Sequence, residues 1–299
     1  MPELTSKLQY KYYEKGEFTD KKARNLEDTL QLIKDFPWGS QGGVDVTLTC
    51  PSVTIIDESN NYLKVGTYFS GKLCLYYFTR DHHLYELPVE STSGAEPFVT
   101  AFFNGETDLE KFERNRLVAN AASNFEDGSF YYEVSEPSYY GRFIFLIVML
   151  LLMLFSSSMI FFLPSPWLAR IFFGGIFLYM LAFLSRQQYL VNKYFRRCRY
   201  MGLELSSGKD VFSFGDADGL AEYHKSDLLE INIYGALAGK SVPLLTLLEL
   251  VFKNETRITI PSMLIDPLVL INKFPNVKIN KFQAQKEYKK IQWDYAMSK

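Results

Sequence analysis

The chain has 299 residues, 47% hydrophobic and 22% charged, which excludes general disorder and leaves room for more than one core. Its net charge of −2 hides an asymmetry: residues 1–141 carry 13 Lys and Arg against 22 Asp and Glu, a net of −9, and residues 186–299 carry 17 against 12, a net of +5. The acidic front half disfavours nucleic acid or anionic lipid as its direct partner, whereas the basic back half suits an anionic surface.

Met1 to Asp20 is polar and has no apolar h-region, so no cleavable signal peptide is expected. Thr19 or Asp20 can cap a helix to about Asp35, with Ala23, Leu26, Leu30 and Ile33 at helical spacing. Phe36-Pro37-Trp38-Gly39 ends that helix and Gln41-Gly42-Gly43 makes a loop. Strands are expected at Val44–Thr49, Val53–Asp57, Tyr62–Phe69, Lys72–Phe78 and Leu84–Leu87. Asn60-Asn61 and Ser70-Gly71 suit the hairpin turns because they tolerate positive φ. A helical stretch over Phe98 to Arg116, interrupted near Asn104-Gly105, and a last strand over Ser129–Val134 complete an α+β domain spanning residues 1–135.

The stretches NNYLKVGTYFSGKLCLYY and FFNGETDLEKF, in that order after a helix and a strand ending near Asp57, resemble small immunity proteins of bacterial polymorphic toxin systems. The resemblance covers about the first 115 residues and implies a domain that binds and neutralises a toxin protein.

From Phe143 to Leu163 the chain has 21 residues without a formal charge, about 30 Å of helix and the thickness of a bilayer's hydrocarbon layer. Pro164-Ser165-Pro166 breaks it, and a second apolar run follows from Trp167 to about Ser185. Trp167 suits a membrane interface and Arg170 lies close enough to the start to snorkel. Arg142 precedes the pair, and Arg186, Lys193, Arg196, Arg197 and Arg199 follow it. The expectation is a transmembrane hairpin over residues 136–190, with both termini cytoplasmic in a bacterial inner membrane. The basic residues either hold that topology or contact anionic headgroups.

Beyond the hairpin, strands are expected at Leu203–Leu205, Val211–Phe214, Asp227–Tyr234, Leu245–Phe252 and Arg257–Ile260. Asp266-Pro267 opens a closing helix over Ile265 to Phe274, and the tail from Lys281 to Lys299 is basic. Gly202-Leu203-Glu204-Leu205, Leu228–Tyr234 and Ile258-Thr259-Ile260-Pro261 resemble the recurrent strands of bacterial two-transmembrane proteins with a PH-like domain. That resemblance covers about residues 200–280 and implies a curved antiparallel sheet capped by a helix; the longer Gly235–Pro243 connection departs from it.

Other constellations fall short of a chemistry. Cys50, Cys74 and Cys198 are an odd set with neither disulfide nor zinc spacing, which reads as reduced thiols. Asp81, His82, His83 and Glu86 read as a solvated hairpin tip, because adjacent histidines on a strand point to opposite faces. Asp216-Ala217-Asp218-Gly219 lacks EF-hand spacing, and Ser206-Ser207-Gly208-Lys209 lacks both the upstream glycine and the following hydroxyl of a phosphate loop.

The reading is α+β throughout: an N-terminal helix and antiparallel meander, a two-helix transmembrane hairpin, and a PH-like antiparallel sheet with a closing helix. The expected function is non-enzymatic binding, first of a toxin at the cytoplasmic membrane face. The alternative is a sensor or scaffold whose PH-like domain binds membrane lipids or a membrane protein. No cofactor, metal or nucleic acid is expected.

Overall fold

A computed structural model describes residues 2–41, 48–116, 120–134, 167–235 and 246–282, with isolated helical positions between 144 and 155. The described residues are α+β with antiparallel sheets and separate into two compact units. Met1–Phe130 with Leu205–Asp210 form the first, and Tyr131–Glu204 with Val211–Lys299 the second.

In the first unit, strands β1 (Leu4–Gln9), β2 (Thr19–Arg24), β3 (Ser52–Ile56), β4 (Tyr62–Thr67), β5 (Leu73–Phe78), β6 (Leu84–Val89) and β7 (Glu113–Asn115) form one sheet in the order β2-β1-β3-β4-β5-β6-β7. Period-two alternation gives this sheet two faces. The row Leu8, Val53, Val65, Leu75, Leu87 lies on one face, where it packs with helices α1 (Leu26–Asp35) and α2 (Thr92–Phe103) through Leu26, Ile33, Val99 and Phe102. The opposite face carries Lys7, Thr54, Lys64 and Tyr76 in one row. A second cluster covers it, in which Phe125 is fully buried and stacks on Phe78 at 4.7 Å. The sheet is therefore buried on both sides, each fully buried aliphatic contributing about 1.5–3 kcal/mol.

Several sequence expectations shift here. The helix begins after Asn25, whose side chain accepts from the Asp28 N–H at 2.9 Å. Thr19–Arg24 is instead an edge strand, because Ala23 pairs with Thr5 of β1. The later helix starts upstream, at the Ser91 cap, and ends at Asn104; Gly105, with φ +70°, turns the chain toward β7. Most of the strand expected at Val44–Thr49 lies outside the described residues, and Leu48 and Thr49 are in a turn.

In the second unit, β8 (Tyr131–Glu133), β9 (Gly202–Glu204), β10 (Val211–Asp216) and β11 (Gly219–His224) form a sheet in the order β11-β10-β9-β8. A second sheet, β14-β13-β12-β15, comprises β12 (Leu228–Tyr234), β13 (Leu247–Phe252), β14 (Arg257–Pro261) and β15 (Lys278–Lys281), with β15 parallel to β12. Phe212 of β10 meets Phe252 of β13 at 6.4 Å and Phe274 at 5.7 Å, which ties the sheets into one core. Helix α4 (Pro267–Asn272) opens on Asp266, whose carboxylate accepts from the Leu268 N–H at 2.8 Å, and it buries Leu270.

The transmembrane hairpin is not sustained. Among the described residues no helix is long and apolar enough to cross a membrane. Most of the first expected span, Phe143 to Leu163, lies outside those residues. The second expected span does not stop at Ser185. It is the front of one 32-residue helix, α3 (Trp167–Cys198), about 48 Å long, which runs on through Arg186, Lys193, Arg196 and Arg197. Its last turns bury Tyr194 and Cys198 against Leu247 in the protein core. An apolar count over residues 167–185 reads the composition of that stretch but not the charged, protein-packed helix it belongs to. The multi-pass inner-membrane localisation and the cytoplasmic placement of both termini rested on those spans and are withdrawn with them.

Candidate functional site

The second unit concentrates polar side chains on one face of the β14-β13-β12-β15 sheet. Alternation and register place Glu230, Asn232 and Tyr234 of β12 beside Glu249 of β13 and Lys278 and Asn280 of β15. The opposite face buries Ile231, Ile233, Leu248, Leu250 and Ile260. The polar side chains form one continuous chain. Lys278 Nζ donates to Glu230 Oε2 at 3.3 Å, and Asn280 Nδ2 donates to Glu230 Oε2 and Asn232 Oδ1, both at 2.9 Å. Asn232 Nδ2 donates to Glu249 Oε2 at 2.9 Å; the Tyr234 hydroxyl reaches the same oxygen at 3.1 Å, and Arg257 Nη1 reaches Glu249 Oε1 at 3.4 Å. Hydrogen bonds from Asn280 and Lys278 hold the Glu230 carboxyl below its usual range, while burial and then Glu249 push the Tyr234 hydroxyl up to about 12. The result is a continuous ladder of mutually hydrogen-bonded donors and acceptors across the sheet.

The end of α3 seats beside this array. Tyr194 and Cys198 pack with Leu247 and Tyr234, and the Tyr194 hydroxyl donates to the Thr246 carbonyl at 3.2 Å. On a helix of 3.6 residues per turn, Arg186, Lys193 and Arg197 fall within about 40° of one another. Arg186, Arg196 and Arg199 are exposed, and Lys193 and Arg197 are half-buried. Lys193 Nζ lies 5.9 Å from the Tyr189 ring, and the Arg199 guanidinium lies 5.4 Å from the ring of Tyr200, itself 63% exposed. Arg196 and Arg197 in the last turn also oppose the partial negative charge of the helix C-terminus. Of the other expected site residues, Arg142 lies outside the described residues, Trp167 opens α3 at 69% exposure, and Arg170 is in its first turn.

The remaining sequence motifs lie on other elements. Asp81, His82 and His83 form the tip between β5 and β6, where His83 Nδ1 lies 2.9 Å from Arg114 Nη2. Asp216 pairs with Gly219 at the tip of the β10–β11 hairpin, and Ser206 to Lys209 lie in the loop between β9 and β10. Among the described residues no three His, Cys, Asp or Glu side chains gather to hold a metal ion.

Residues 131–273 match a family described as a PH domain. The matched segment begins with β8 and ends just past α4, so it encloses α3 and both sheets except β15. The expected PH-like character of the C-terminal half is thus supported, over a segment that starts at Tyr131 rather than near residue 200. No curated protein and no solved structure matches the chain. Sequence reasoning missed the Glu230–Asn232–Tyr234 ladder of this PH-like segment, although its period-two polar spacing inside an apolar strand was present as a signal.

Proposed function

We propose that this chain is a non-catalytic binding protein whose PH-like unit docks on anionic lipid headgroups through the basic end of α3. The observation that carries the reading is that the PH-domain match over residues 131–273 contains the Arg186, Lys193, Arg197 stripe. The net +5 of residues 186–299 supports it, since each Lys or Arg near an anionic surface contributes about 1 kcal/mol. Capture of a toxin by the first unit rests on the sequence resemblance alone and has no place in this proposal.

The test is co-sedimentation of the full chain with phosphatidylcholine vesicles, with and without 30% (roughly, a typical anionic loading) phosphatidylserine. Binding is expected only to the anionic vesicles, weakening with salt, and falling about 100-fold when Arg186, Lys193 and Arg197 are all changed to Gln. Equal binding to neutral vesicles, or unchanged binding by the triple variant, rejects the proposal.

A further inference from the structure

The covered polar face of the first unit's sheet holds charge and hydroxyl groups that its own partners do not balance. Lys64 is fully buried on β4, and its ammonium donates to Gln9 Oε1 at 2.8 Å, to the Leu48 carbonyl at 2.5 Å and to the Asn124 carbonyl at 3.4 Å. All three acceptors are neutral. Lys7, in the same row, is different: it pairs with Asp127 at 2.7 Å, donates to the Phe125 carbonyl at 2.6 Å and stands 3.7 Å over the Phe18 ring. Among the described residues, Lys64 forms no ion pair with a carboxylate.

The strand between the two lysines is β3. Register places Thr54 opposite both Lys7 and Lys64, and Ser52 opposite Gln9 and Gly66. The bond from Lys64 to Gln9 therefore crosses above β3, between the Thr54 and Ser52 side chains. Both of those residues are fully buried, and among the described residues their hydroxyls have no hydrogen-bond partner. An orphan buried hydroxyl costs about 1–3 kcal/mol, and a buried ammonium without a counter-charge costs more. Such a pair of unmet needs on one patch is answered by one ligand that accepts hydrogen bonds and carries a single negative charge.

We propose that the first unit binds a small, singly charged oxyanion above β3, with Lys64 as counter-charge and the Thr54 and Ser52 hydroxyls as donors. On the neighbouring strand Cys50 and Tyr76 border the patch over Gly66, where a Cβ would lie 2.5 Å from Cys50 Sγ and 3.3 Å from the Tyr76 ring. The backbone at Leu48 and at Asn124–Phe125 covers the patch through its carbonyl bonds to the two lysines.

The experiment is thermal unfolding of the full chain in formate, in phosphate at pH 6.5 and in chloride, at matched ionic strength. A saturable rise in Tm is expected with at least one oxyanion over chloride, absent in Lys64→Met and with at least tenfold weaker apparent affinity in Thr54→Val. The valine variant keeps shape and charge, so it reads the hydroxyl even where Lys64→Met folds poorly. Identical Tm in all three salts overturns the proposal and leaves ordered water as the partner of the two hydroxyls. A rise that persists unchanged in Thr54→Val overturns it as well.

Discussion

Lys273 Nζ stands 5.6 Å from the ring of Tyr132, which brings the two ends of the PH-like segment together across 141 positions of chain. Tyr132 lies on β8 and pairs with Leu203 of β9, while Lys273 is the C-cap of α4. This contact, with the β8–β9 pairing, closes the unit on the strand that precedes α3. A double-mutant cycle of Tyr132→Leu and Lys273→Met, followed by chemical denaturation, is expected to show a coupling of about 0.5–2 kcal/mol. A coupling of zero removes the contact from the account of how the unit closes.

Phe125 is the keystone of the cover on the first unit's polar face. It is fully buried, stacks on Phe78 at 4.7 Å with an interplanar angle of 5°, and meets Tyr62 at 5.8 Å. Phe125→Ala is expected to destabilise the first unit by about 3–5 kcal/mol in urea unfolding. A loss under about 1 kcal/mol means that the cover does not depend on this ring.

Gly66 is required for space. A Cβ there would lie 2.5 Å from the Cys50 sulfur and 3.3 Å from the Tyr76 ring. Gly66→Ala is expected to cost about 1–3 kcal/mol by overpacking, with much of the loss recovered in the Cys50→Ala background. The same cost in both backgrounds points instead to the Tyr76 ring as the obstacle.

Stability should also report the buried ionisable groups. Burial lowers the Lys64 ammonium from 10.5 to about 8. The unfolded chain then holds more protons between those values, so this group's contribution grows as pH rises above 8 and is lost as pH falls through it. Burial raises the Cys74 thiol from 9.0 and the Tyr13 hydroxyl from 10.0, each to about 12. Those contributions are complete below pH 9 and 10 and are lost as pH climbs toward 12. The first unit is therefore expected to gain about 1 kcal/mol between pH 8 and 9, then decline. Denaturation midpoints at pH 7, 8, 9 and 10 test this, and Lys64→Met should flatten the rise. A wild-type chain less stable at pH 9 than at pH 7 contradicts the assignment.

Local pattern determined part of this protein on its own. The period-two apolar runs of β3 to β6, the Asp266-Pro267 start of α4 and the basic run from Arg186 to Arg199 are all legible without a structure, because each depends on neighbours a few residues away. Tertiary structure decided the rest. β1 reads as polar because Lys7 and Gln9 face a covered layer that only distant residues supply. β8 reads as the end of the first domain, yet its partner β9 lies beyond α3, and strand pairing leaves no mark in the strand's own residues. The apolar run after Trp167 reads as a membrane span, whereas the helix that contains it carries charge and buries its end in the PH-like core. The polar array around Glu230 and Glu249, and the row of Lys7, Thr54 and Lys64, exist only once register has set their strands side by side.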